Sequence, residues 1–189
     1  IYLSGGGTVT NCRITACTSG DYVNGVGLYL NSSYAFDTII DSCTNSPSSS
    51  TEKAQWTKGY AVCVVGASRM ERCRVVKNRM IYGRNAANYW GGALAIANNE
   101  KEEYSNSCIV RNCEISNNVY ENYTRSGTTT QFGAIGVSVS AGILENCTIV
   151  SNIVKAADTT DGACGVVGYH SNNGTIRNCL IADNYYNGV

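Results

Sequence analysis

With one proline, one histidine and two phenylalanines among 189 residues, the chain has little of what marks many functional classes. Lys plus Arg equals Asp plus Glu at 14 each, so no basic field is available for a phosphate backbone, and nucleic-acid binding is disfavoured. No apolar run approaches the roughly 18 residues needed to span a bilayer. The N-terminus lacks the basic, apolar and small-residue sections of a signal peptide. One histidine cannot complete a Cys2His2 zinc set, and the two CxxxxC spacings, Cys12 with Cys17 and Cys108 with Cys113, are not knuckles. No metal or cofactor is expected. With proline so scarce, 20 glycines and many Asn, Ser and Thr residues are left to make the turns of a β-rich chain.

What the chain does have is cysteine, ten in all, six of them at the same place in a recurring unit. The copies read GTVTNCRIT, DTIIDSCTN, SRMERCRVV, CIVRNCEIS, GILENCTIV and GTIRNCLIA, which makes Cys12, Cys43, Cys73, Cys113, Cys147 and Cys179 equivalent. By subtraction of their numbers, they lie 31, 30, 40, 34 and 32 positions apart. A period of this length signals a solenoid, in which each unit buries its apolar face only by stacking on the next.

Ahead of each cysteine unit lies a glycine-led stretch with strand alternation: GVGLYL, GYAVCVV, GGALAIA, GAIGVSV and GACGVVG. The inward pairs read as Leu28 and Leu30, Val62 and Val64, Leu94 and Ile96, Ile135 and Val137, Cys164 and Val166, with Ile1 and Leu3 as a first copy. In the cysteine unit an apolar residue precedes the cysteine by three and usually follows it by two, too short a run for a stable helix. Two short strands meeting at a corner fit better. The corner falls at Asn11, Ser42, Arg72, Asn112, Asn146 and Asn178, and Asn tolerates the left-handed region. Five residues past the cysteine, Asn78, Asn118, Asn152 and Asn184 recur, with Cys17 and Ser48 in the first two coils, and predict an Asn ladder. The expected fold is all-β, a right-handed parallel β-helix of about six coils with three short parallel sheets, forming one unit over 1–189. The opening IYLSGGG and closing NYYNGV read as edges of a segment from a longer protein.

Glycine-led strand, turn, ΦxxCxΦ and turn together resemble the right-handed parallel β-helix of the pectin-lyase-like superfamily. The repeat is most similar to the GGGxY and NCxIxxN repeats of bacterial surface and secreted proteins, including polymorphic-membrane-protein-like adhesins. The matching residues are Ile1 to Gly7 with Asn11, Cys12 and Ile14, and Asn146, Cys147, Ile149 and Asn152. This resemblance implies a secreted or cell-surface setting. It leaves function open, because the superfamily contains lyases, hydrolases, adhesins and phage tail spikes.

Cysteines of an extracellular protein ordinarily pair. Six at one inward position read instead as stacked, reduced core thiols, since buried cysteine behaves as a small apolar residue. Cys17, Cys63 and Cys108 are better candidates for bridges. A catalytic constellation is not visible. Asp21, Asp37, Asp41, Asp158, Asp161 and Asp183 are scattered, and His170 has no carboxylate nearby in sequence to orient it. An Asp, Arg and Lys cluster on one sheet face would shift the reading toward an enzyme.

Loops beyond the Asn position vary most in length and content, and they collect Tyr22, Trp56, Tyr82, Tyr89, Trp90, Tyr120 and Tyr123. Such rings stack on sugars or anchor a protein partner, or else shield sheet edges. The expectation is a non-enzymatic stalk or adhesin segment whose loops contact glycans or proteins. Alternatives are a piece of a polysaccharide lyase or glycoside hydrolase, and a subunit that self-associates end to end.

Overall fold

The computed structural model describes residues 1–20, 23–46, 59–82, 88–89, 92–97, 107–122, 131–134, 136–156, 161–163, 165–168 and 174–188. Within them the chain winds through six coils as a right-handed parallel β-helix. Among the described residues no helix is long and apolar enough to cross a membrane.

Each coil contributes to four six-stranded parallel sheets, one more than the repeat suggested. Sheet A holds the glycine-led strands, from Tyr2–Ser4 through Leu28–Asn31, Gly59–Val65, Gly92–Ala97 and Val137–Val139 to Val166–Gly168. Sheet B runs from Thr8–Thr10 to Thr175–Arg177, and sheet C from Arg13–Thr15 to Leu180–Ala182. Sheet D, from Thr18–Ser19 to Tyr185–Gly188, is the addition, built from residues that read as the start of loops. Sequence reading missed it because its corner is held by Ala16, Ser42, Lys77, Asn117, Ser151 and Asp183, five different residue types in six coils.

Alternation places one side chain per short strand in a common interior. Sheet A contributes Leu28, Leu30, Val62, Val64, Leu94, Ile96, Val137 and Val139, all without exposed surface. In the fifth coil the inward residues are therefore shifted by two from expectation, Val137 pairing with Leu94, and the register continues with Val166 opposite Val137 in the sixth; Ile135 and Cys164, expected to point inward, lie outside the described residues. Sheet B supplies Ala35, Met70, Val110 and Leu144; sheet C supplies Ile40, Val75, Ile115 and Ile149. Burying each large aliphatic chain contributes about 1.5–3 kcal/mol. Inward residues of the sixth coil are more open, with Ile176 at 42% and Ile181 at 45% exposure, because no rung among the described residues stacks on them.

Where sheet D hands over to sheet A, the backbone passes against sheet C. A Cβ on Gly136 would lie 2.8 Å from Ile149 Cγ2 and 3.2 Å from Asn152 Nδ2; on Gly27 it would lie 2.6 Å from Ile40 Cγ2 and 3.1 Å from Cys43 Sγ. Only very small residues fit this column, and Ala61 and Ala93 occupy it in the middle coils.

Candidate functional site

Two corners in every coil are turned by a residue other than glycine in the left-handed region. The first column is Asn11, Asp37, Arg72, Asn112, Asn146 and Asn178; the second is Ala16, Ser42, Lys77, Asn117, Ser151 and Asp183, with φ between 49° and 58° throughout. For an L-residue this conformation costs roughly 1–2 kcal/mol. The corner N–H is directed along the helix axis and donates to the next coil, as from Asn11 to Phe36 O at 3.2 Å and from Lys77 to Ser116 O at 3.1 Å.

The residue after each corner carries the ladder. Backbone register aligns Cys12, Thr38, Cys73, Cys113, Cys147 and Cys179 in the first column. Cys43 is not among them, which corrects the alignment drawn from the cysteine pattern, and Asp37 rather than Ser42 turns that corner. Coil 2 keeps the backbone register with a different sequence, Ala35 standing at the sheet B position and Ile40 at the sheet C position.

Thr38 fits because these cysteines are not merely apolar. Each donates to the carbonyl two residues back: Cys73 to Glu71 O, Cys113 to Arg111 O and Cys147 to Glu145 O, all at 3.2 Å, as Thr38 Oγ1 does to Phe36 O at 2.8 Å. Each can also accept from the coil before. Cys73 N–H donates to Cys113 Sγ and Cys12 N–H to Thr38 Oγ1, both at 3.4 Å. Cys113, hydrogen-bonded to the Cys147 and Cys73 thiols and buried, titrates well above the ordinary thiol range.

Asn78, Asn118, Asn152 and Asn184 stack in the second column. Asn118 Oδ1 accepts the backbone N–H and the Nδ2 of Asn78, each at 3.0 Å, while Asn118 Nδ2 donates to Val75 O at 2.9 Å and to Asn152 Oδ1 at 2.9 Å. Both donors and both acceptor sites of the buried amide are satisfied. Cys17 and Cys43 begin this same column, Cys43 N–H donating to Asn78 Oδ1 at 3.0 Å. Ser48, expected there, lies outside the described residues.

None of the nine cysteines of the described residues is disulfide-bonded; Cys164 lies outside them. Cys108 is buried at the corner between sheets A and B, its thiol 2.7 Å from Gly66 O and pushed up to about 11 by burial. Cys63 points to the outer side of sheet A, clustered with Val65 and Ala97 against Tyr29.

Outer-face charges link coil to coil. Arg13 pairs with Asp41 across coils 1 and 2, and Arg72 with Asp37 across coils 2 and 3. Arg74 with Glu114 and Arg111 with Glu71 join coils 3 and 4, Lys155 with Glu121 joins 4 and 5, and Arg177 with Glu145 joins 5 and 6. Every inter-coil step is bridged. The guanidinium partners hold Asp37, Asp41 and Glu114 below the usual carboxylate range, through hydrogen bonds first. One such group gathers Arg79, Glu121 and Lys155 on the outer face of sheet D, Lys155 Nζ lying 3.5 Å from a Glu121 carboxylate that is 5% exposed.

Of the aromatic candidates, Tyr120 is corrected: its strand continues past Asn118, so its ring faces inward between Met80 and Val154 and has no exposed surface. Tyr82 lies in the sheet D strand Arg79–Tyr82. Tyr89 lies in Asn88–Tyr89, which pairs with Gln131–Ala134 and that in turn with Asp161–Ala163 as a three-stranded parallel sheet. Tyr22, Trp56, Trp90 and Tyr123 fall outside the described residues, as do Asp21, Asp158 and His170. Exposed aromatics that sequence reading passed over lie in the first two coils, Tyr2 and Tyr34, and in the sixth, Tyr185 and Tyr186; Tyr2 stacks on the half-buried Tyr29 with centroids 5.0 Å apart. No protein-family model, curated protein or solved structure matches the chain.

Proposed function

We propose that this chain is an elongated scaffold segment of a secreted or cell-surface protein, a stalk or adhesin whose loop-bearing edge contacts glycans or proteins. The observation that carries this reading is the bridging of all five inter-coil steps by ion pairs, in addition to the backbone and side-chain ladders. Charges placed in this way resist separation of coils along the axis, which is what a load-bearing spacer requires. The loops that follow sheet D in coils 3 to 5 pair in register through Asn88, Gln131 and Asp161. The described strands of these three insertions thereby join in one parallel sheet.

The test is to replace Tyr89 and Trp90 with Ala and measure glycan-array or cell binding alongside thermal unfolding. Lost binding with unchanged melting supports recognition, whereas a lowered melting temperature with no binding by the parent protein rejects it. A second reading, polysaccharide cleavage, is favoured by the group of Arg79, Glu121 and Lys155 on one sheet face. Release of unsaturated or reducing ends from acidic polysaccharides by the intact chain, abolished in Glu121→Gln, would establish it.

A further inference from the structure

We propose that Cys17 and Cys43 form a disulfide that staples coil 1 to coil 2 when the protein meets an oxidising thiol–disulfide couple. The two residues share one column, since Thr44 N–H donates to Cys17 O at 2.8 Å and Thr18 pairs with Thr44 in parallel register. Neighbouring strands lie about 4.8 Å apart, within the Cα separation of roughly 4.4–6.8 Å that a disulfide accepts. In the four later coils the same column is closed by asparagine amides. Sulfur thus stands where a coil-to-coil link is needed and no amide is present.

These thiols are also held more weakly than those of the neighbouring column. Cys17 Sγ lies 3.8 Å from Thr15 O, and Cys43 Sγ lies 3.5 Å from Asp41 O and 4.0 Å from Ile14 O. In the other column the corresponding distances are 3.1–3.3 Å. Losing both S–H groups therefore sacrifices little hydrogen bonding. Cys17 is half-buried and within reach of a soluble reagent, while Cys43 is 1% exposed.

The exchange balances with oxidised glutathione as the two-electron acceptor. The Cys17 thiolate attacks one glutathione sulfur and expels the other as thiol. Deprotonated Cys43 then attacks the mixed disulfide at Cys17 and expels the second glutathione. Overall, two protein S–H bonds and one glutathione S–S bond are exchanged for one protein S–S bond and two glutathione thiols. Burial pushes the Cys43 thiol up to about 11, so closure accelerates as pH rises toward that value.

The test incubates native protein with oxidised glutathione, quenches in acid and measures intact mass. No Lys or Arg lies between Arg13 and Lys53, so cleavage is made at Tyr29, Tyr34 and Phe36. We expect the Cys17 and Cys43 fragments to be joined, two hydrogen masses below their sum, until reduced; glutathione on the exposed Cys12 is removed from the reading with Cys12→Ser. The urea midpoint should rise on oxidation and return with dithiothreitol. Cys43→Ser should carry one glutathione at Cys17, and Cys17→Ser should remain without a Cys43 bridge. Glutathione retained at Cys17 in the parent protein, a bridge through other cysteines, or no reaction across the pH range overturns the proposal.

Discussion

Asn118 Oδ1 accepts two hydrogen bonds from a single residue, the backbone N–H and the side-chain Nδ2 of Asn78, both at 3.0 Å. This two-point grip of one coil on the next repeats between Asn118 and Asn152 and between Asn152 and Asn184. It makes each amide the acceptor for the coil before and the donor to the coil after. Registry between coils is thereby specified by side chains as well as by backbone pairing.

Replacing Asn118 with Ala strands two buried donors on Asn78 and removes the donor that serves Val75 O. An unsatisfied buried polar group costs about 1–3 kcal/mol. Stability in urea should fall by about 3 kcal/mol or more, with the slope of the transition unchanged if unfolding is two-state.

Cys113 separates a polar role from a packing role. If its sulfur matters as acceptor for Cys73 N–H and as donor to Arg111 O, Cys113→Ser should be more stable than Cys113→Ala by about 1 kcal/mol. Equal stability of the two variants would show that the column is held by packing alone. Thr38, already present at this position, sets the precedent.

Gly136→Val introduces a Cβ 2.5 Å from Gly165 O and 2.8 Å from Ile149 Cγ2. Overpacking of this kind costs about 1–3 kcal/mol, and more when backbone must move. The variant should show a clearly lowered melting temperature, whereas Gly20→Ala, where a Cβ meets nothing within 4 Å, should melt like the parent.

Acid should weaken the coil-to-coil pairs. Asp37, Asp41 and Glu114 are held below their ordinary values of 3.8, 3.8 and 4.5 by Arg72, Arg13 and Arg74. For a lowered folded-state value, the stabilisation is complete above the unfolded value and disappears as pH falls through the folded one. Urea midpoints should therefore hold from neutral pH down to about 5 and decline below about 4. Asp41→Asn should shrink that decline, and added salt should reduce the contribution of the more exposed Asp37 and Arg72 pair.

The repeat made the solenoid legible because apolar and glycine positions recur at the period of a coil, and stacking is what buries them. Asn78, Asn118, Asn152 and Asn184 announced their column because a buried amide with four bonds to satisfy tolerates few substitutes. Cys43 misled because, beside Thr38, it continues the cysteine spacing of the other coils while sitting in the asparagine column. Tyr120 misled because an aromatic next to a variable loop has the same composition whether its strand has ended or continues.

The sequence alone therefore determined the coil period, the parallel β architecture and the residues suited to tight corners, all of them consequences of local chemistry repeated at fixed spacing. Only the tertiary structure decided that there are four sheets, that coil 2 places Thr38 in the cysteine column, and that Cys17 faces Cys43. Those facts depend on hydrogen-bond register between coils 26 to 40 residues apart, and residue type by itself does not encode which backbone rung a side chain will meet.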